Sequence, residues 1–110
     1  MSEYVSAGKA EEYEPGKMKV VKIDGYEIAV TKVDDAFYAF SNYCTHSQHP
    51  MNFGYVSGKE AVCIFHWAIF DATDGHVIQG PAYEPLQTYE VRVQDGEVQV
   101  GGPKKAGTST

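Results

Sequence analysis

At 110 residues, with 43% hydrophobic and 13% aromatic side chains, the chain is sized for one domain with a packed core. Fifteen acidic residues against nine basic give a net charge of −6, which excludes a general nucleic-acid binder, because that role needs a basic surface to displace counterions. No apolar run approaches the roughly 20 residues that span a bilayer, and the N-terminus MSEYVSAGKAEEYEPGK lacks the regions of a secretion signal. The expectation is a cytoplasmic monomer with neither nucleic-acid nor membrane partners. Its acidity suits docking on a basic partner surface or simple solubility.

Apolar and polar residues alternate with period two almost throughout, without a helical stripe, which predicts an all-β protein. Glu11, Glu12 and Glu14 read as a solvated acidic surface. Met18–Ile23 and Tyr26–Val33 flank Asp24-Gly25, a strong hairpin signal because such a turn needs positive φ. Asp34-Asp35 turns the chain into Ala36–Phe40, completing an antiparallel meander. Residues 41–87, rich in His, Pro, Gly and aromatics, read as an insertion carrying function, with short strands at Ala61–Phe65 and Ala68–Asp71 and a turn at Thr73-Asp74-Gly75. Thr88–Val93 and Glu97–Val100 flank Gln94-Asp95-Gly96 as another hairpin. The tail Gly101–Thr110 offers no core-forming side chain and is expected to be disordered. The domain is therefore placed at residues 1–100.

Two Cys-His pairs carry the chemistry. Cys44-Thr45-His46 is followed after sixteen residues by Cys63-Ile64-Phe65-His66, and together they hold both cysteines and two of the four histidines. In an intracellular chain, cysteines each two or three residues ahead of a histidine point to metal rather than a disulfide. Structural zinc is one reading, but zinc fingers commonly group cysteines with cysteines and histidines with histidines. An iron–sulfur cluster with two cysteines on one iron and two histidines on the other suits mixed pairs better, since each loop then supplies one ligand to each iron. Read this way, Cys44, His46, Cys63 and His66 clamp one 2Fe–2S cluster between two loops. Each loop would sit between hairpins.

The stretch from Cys44 to His66 resembles the Rieske signature, C-x-H followed by C-x-x-H. Phe70-Asp71 and Thr73-Asp74-Gly75 resemble the segment after the second ligand pair in that family. Gly80-Pro81-Ala82 with Pro85-Leu86 is similar to its cluster-covering proline loop, and Glu14-Pro15-Gly16 to its usual entry, so the likeness spans about residues 4–100. Two positions depart from it: Trp67 stands where the family usually has Gly, and Ile64 where it often has Pro. The resemblance implies an antiparallel β sandwich or barrel with an inserted cluster-binding subdomain at about 41–87. It implies a soluble, oxygenase-associated ferredoxin that shuttles single electrons from a flavin-dependent reductase to a multicomponent aromatic-ring oxygenase, with no catalysis of its own. Alternatives are the small subunit of another redox enzyme, such as a nitrite reductase, and a redox-inactive zinc module.

Within that resemblance, respiratory high-potential members carry two extra cysteines that form a disulfide; the corresponding positions here are His49 and Phe65. They also place Ser and Tyr hydroxyls where this chain has Ala68 and Phe70. Hydroxyl bonds to cluster sulfur stabilise the reduced state, so their absence implies a potential near the low end of the Rieske range, about −150 mV. Histidine ligation acts the other way relative to an all-cysteine cluster, because two ferric ions, two sulfides and two thiolates sum to zero. His49 and His76 are expected to be surface residues. Trp67, Phe65, Phe53 and Pro81 are candidates to shield the cluster, or to fill ordinary packing, and Tyr43 beside the first ligand is ambiguous in the same way.

Overall fold

The computed structural model describes residues 4–23, 25–43, 50–64, 67–80 and 85–103. Ten strands run in chain order: β1 Val5–Lys9, β2 Met18–Ile23, β3 Tyr26–Val33, β4 Ala36–Ser41, β5 Tyr55–Ser57, β6 Glu60–Cys63, β7 Ala68–Asp71, β8 Val77–Gln79, β9 Thr88–Gln94 and β10 Glu97–Pro103. Short 3-10 turns occupy Ala10–Glu12 and Met51–Phe53. All strand pairs are antiparallel.

The strands form two sheets. One has six strands in the order β1-β10-β9-β4-β3-β2, and its edges β1 and β2 come into contact, so it curls toward a barrel. The other has four strands, β5-β6-β7-β8, all drawn from the segment between β4 and β9. The expected insertion into a β framework is thus the smaller sheet.

Turn chemistry explains the hairpins. Gly25 has φ +85, and Asp34 opens the β3–β4 turn at φ 54. Gln94 pairs with Glu97, leaving Asp95 (φ 55) and Gly96 (φ 78) as a two-residue loop with both φ values positive, the twist that matches flanking strands.

The alternation along β3 serves two cores at once, because successive side chains point to opposite faces. Ile28 and Val30 pack with Ala7, Tyr13, Ala39, Val98 and Val100 inside the curled sheet. Ala29 and Val33 join Phe40, Met51, Val56, Ala61, Cys63, Phe70 and Leu86 in the core shared with the small sheet. Strands β3 and β4 are therefore a common wall. Thr31, buried in that wall, donates its hydroxyl to the Lys17 carbonyl at 2.9 Å.

Three strands, β1, β5 and β8, lie outside the sequence expectation. β1 has a single buried residue, Ala7, and β5 and β8 are three residues each, too short to display a period. The expected end of the fold at residue 100 also moves. β10 continues through Pro103, which pairs with Tyr89 beyond a register shift, and Gly101 is buried against the Tyr4 ring. Gly101 and Gly102 bury backbone rather than side chain, which no search for core residues detects. Residues 104–110 lie outside the described residues.

Gly54, between the 51–53 turn and β5, seats that turn on β6. A Cβ there would lie 1.9 Å from the Val62 carbonyl oxygen, which is backbone and cannot swing aside. Gly54→Ala is expected to cost about 2–3 kcal/mol, read as a lowered midpoint in denaturant unfolding.

Candidate metal centre

Cys63 ends β6 and is 1% exposed. It pairs across the hairpin with Ala68, so the β6–β7 ladder closes at the cysteine and leaves a four-residue loop, residues 64–67. Sequence reasoning placed this cysteine on a loop; the ladder and the burial place it at the rim of the shared core. Ala68 and Phe70 are both fully buried, and neither carries a hydroxyl. Cys44, His46 and His66, with His49, Phe65, Pro81 and Ala82, lie outside the described residues.

The chain on either side of residues 44–49 is pinned. Tyr43 and Pro50 form an isolated antiparallel bridge, and the Met51 N–H donates to the Asn42 carbonyl at 2.6 Å. Asn42 is 1% exposed and uses every polar group it has. Its backbone N–H donates to the Glu27 carbonyl at 3.0 Å. Its Nδ2 donates to Glu27 Oε1 at 3.2 Å and to Asn52 Oδ1 at 2.9 Å, while its Oδ1 accepts the Asn52 N–H at 2.9 Å. The Tyr43 hydroxyl bonds the same Glu27 carboxylate, and that bond, with some burial and the carboxylate charge, raises the phenol above its ordinary pKa. Sequence reasoning passed over Asn42 and Glu27. An Asn immediately after a predicted strand is ordinary turn composition, and nothing local marks it as buried.

The return segment to β9 is held from two sides. The Leu86 N–H donates to the Gly75 carbonyl at 2.8 Å, and the Ser41 N–H to the Gln87 carbonyl at 2.8 Å. Gly75 has φ +84, and a Cβ there would stand 2.4 Å from the Leu86 oxygen. The expected turn at 73–75 is thus the seat of the proline-containing segment. Thr73 donates its N–H to Asp71 Oδ1 at 2.8 Å, and Lys59 Nζ lies 3.7 Å from Asp71 Oδ2. These contacts occupy the one group of possible ion ligands found among the described residues, Asp71, Asp74 and His76. His76 is exposed, as expected, with Nδ1 2.6 Å from Asp74 Oδ1.

The two described shield candidates do not pack inside. Phe53 is 61% exposed and Trp67 55%. Trp67 has φ +61, a left-handed conformation that costs a non-glycine residue about 1–2 kcal/mol. This accounts for the glycine usual at that position in the family resembled. The Trp67 carbonyl accepts Gln79 Nε2 at 3.0 Å, tying the ligand hairpin to β8.

Comparison with known proteins adds to this geometry. Residues 3–90 match the Rieske [2Fe-2S] domain family. The ferredoxin CarAc of Metapseudomonas resinovorans is 35% identical over 97 residues, covering 87% of this chain and 91% of the relative. The ferredoxin component of the naphthalene 1,2-dioxygenase system of Pseudomonas putida is 32% identical over 85 residues, covering 77% of this chain and 82% of the relative. Among solved structures, a chain from the complex of reduced oxygenase and oxidised ferredoxin of carbazole 1,9a-dioxygenase aligns with a TM-score of 0.83. That chain is 32% identical, and the alignment covers 87% of this chain and 99% of the other.

Asn42 gives the site its first test. Asn42→Ala removes one partner from each of several buried polar groups, and each such orphan costs about 1–3 kcal/mol. The variant is expected to unfold at lower denaturant and to expose the Met51 and Asn52 amides to faster hydrogen exchange.

Proposed function

Because the chain belongs to the Rieske 2Fe–2S domain family, we propose that it is a one-electron carrier, the ferredoxin component serving a multicomponent aromatic-ring oxygenase. A flavin-dependent reductase supplies the electron and the terminal oxygenase receives it. The observation that carries the reading is the kinship with ferredoxin components of dioxygenase systems over nearly the full length of both chains. Among the described residues no helix is long and apolar enough to cross a membrane.

The donor set fits the family's cofactor. Cys44 and Cys63 are assigned to one iron and His46 and His66 to the other. The buried, strand-end position of Cys63 suits a thiolate shared with a neutral oxidised core, since burying an uncompensated anion in an apolar core is costly. When bound, the cluster takes up and releases one electron. The chain does the rest by holding. Asn42 and the Tyr43–Pro50 bridge fix the entry to the first ligand loop, and the Cys63–Ala68 pair fixes the second. Ala68 and Phe70 present hydrocarbon on the cluster side of β7, where respiratory members of the family present hydroxyls. This leaves the reduced state without those stabilising bonds and places the potential near −150 mV, at roughly the low end of the Rieske range. His49 and Phe65 preclude the extra disulfide. The protein acts as a carrier and not a catalyst.

A reductive titration followed by electron paramagnetic resonance tests the reading. The expected result is a single-electron signal of a mixed-ligand 2Fe–2S cluster near about −150 mV, lost in His46→Ala. Protein that stays silent when reduced and contains zinc instead of iron would overturn it. Phe70→Tyr is expected to raise the midpoint by about 30–60 mV. That is the worth of one net hydrogen bond of about 1 kcal/mol at 59 mV per tenfold for one electron.

A further inference from the structure

Charge is distributed unevenly in this chain. Although 22% of residues are charged, none of the 18 from Ser41 to Gly58 and none of the ten from Ala61 to Phe70 is Asp, Glu, Lys or Arg. Those two stretches hold all four assigned ligands. Glu27 reaches the same end from β3, where Asn42 and Tyr43 take up its carboxylate. The ligand-bearing end is therefore nearly neutral in a protein of net charge −6.

The same end is apolar. Among the described residues, Tyr43, Phe53, Tyr55, Ile64, Trp67 and Ile78 make up six of the ten large hydrophobic side chains that are exposed. Trp67 stands out among them. It follows His66 directly, it leaves more than half its surface in solvent, and it keeps a left-handed backbone that glycine would adopt without strain. An exposed indole held at a conformational cost contributes little to the fold, so the strain points to a use outside it.

We propose that Trp67 is the contact residue for this chain's redox partner, and that the partner offers a neutral apolar hollow to the indole rather than a basic face to the acidic barrel. The proposal rests on the electron-carrier reading above. Trp is the side chain most often found to anchor interfaces, and without charge at the contact the approach is not electrostatically steered.

Two small oxidants test the chemistry of that end without a protein partner. Hexacyanoferrate(III) is a trianion; tris(1,10-phenanthroline)cobalt(III) is a trication clad in aromatic rings. Each takes one electron from the reduced cluster, becoming iron(II) or cobalt(II) with no bond made or broken. Stopped-flow reoxidation of the reduced holoprotein is followed as ionic strength rises from about 0.02 to about 0.5 M, which shortens the Debye length from tens of ångströms to a few. The proposal expects weak salt dependence for both reagents. It also expects Trp67→Gly to lower the ratio of the phenanthroline rate to the hexacyanoferrate rate about three- to fivefold, with Trp67→Phe retaining most of it. Midpoint potentials measured on the same samples separate contact from driving force.

Steep salt slopes of opposite sign for the two reagents would mean that the acidic barrel steers the approach, and would overturn the proposal. An unchanged rate ratio in Trp67→Gly would do the same. So would a wild-type dimer in sedimentation that Trp67→Gly dissolves, since the apolar end would then belong to a second copy of the chain. A reduced protein without a one-electron cluster signal would instead defeat the carrier reading, whatever Trp67 does.

Discussion

A carboxamide buried between two sheets must find partners for two donors and an acceptor, because an orphaned polar group inside a protein costs more than a hydrogen bond returns. Asn42 meets that demand by drawing three separate pieces of chain to one point: Glu27 from β3, its own position at the end of β4, and Asn52 from the 51–53 turn. The first ligand loop leaves from this point and returns to it through the Tyr43–Pro50 bridge. Met51, fully buried beside it, carries the turn into the shared core. The rest of the small sheet is then positioned in sequence. Gly54 lets the turn lie on Val62, and β6 runs on from there to Cys63.

The ligand-bearing sheet is not an appendage on a finished barrel. β3 and β4 present one set of side chains to the curled sheet and the alternate set to the small sheet, so the two cores share a wall and neither can repack without the other. This matters for a carrier. A rigid site keeps its ligands in place in both oxidation states, so little energy is spent reorganising the chain when one electron arrives or leaves. The buried Ala68 and Phe70 belong to the same shared core. A feature read as tuning the potential therefore also fills space.

Charge and apolar surface are segregated along the molecule. The acidity read from composition fitted either a basic docking partner or plain solubility. The placement of residues separates these, since the charged side chains are gathered away from the segments that hold the Cys-His pairs. A net charge counted over a whole chain carries no information about which end of the fold bears it.

Much of this protein was legible without a fold. Asp-Gly turns need positive φ, and Gly25, Asp95 and Gly96 supply it where expected; period-two alternation located β2, β3, β4 and β9 to within a residue. The spacing of the Cys-His pairs announced mixed ligation, because which metals two thiolates and two imidazoles favour is a property of the residues alone. Tertiary structure decided what depends on partners distant in sequence. β1, β5 and β8 are too short to show a period and exist because a neighbouring strand pairs with them. β10 reaches Pro103 because Tyr89 and the Tyr4 ring meet its glycines. Asn42 became the clasp of the site only when β3 and the 51–53 turn closed around it. Trp67 was visible as a departure from a family pattern, but its left-handed backbone and solvent-facing indole follow from the hairpin that β6 and β7 close. Local chemistry is written in adjacent residues; burial and pairing are set by which distant residues the fold brings together.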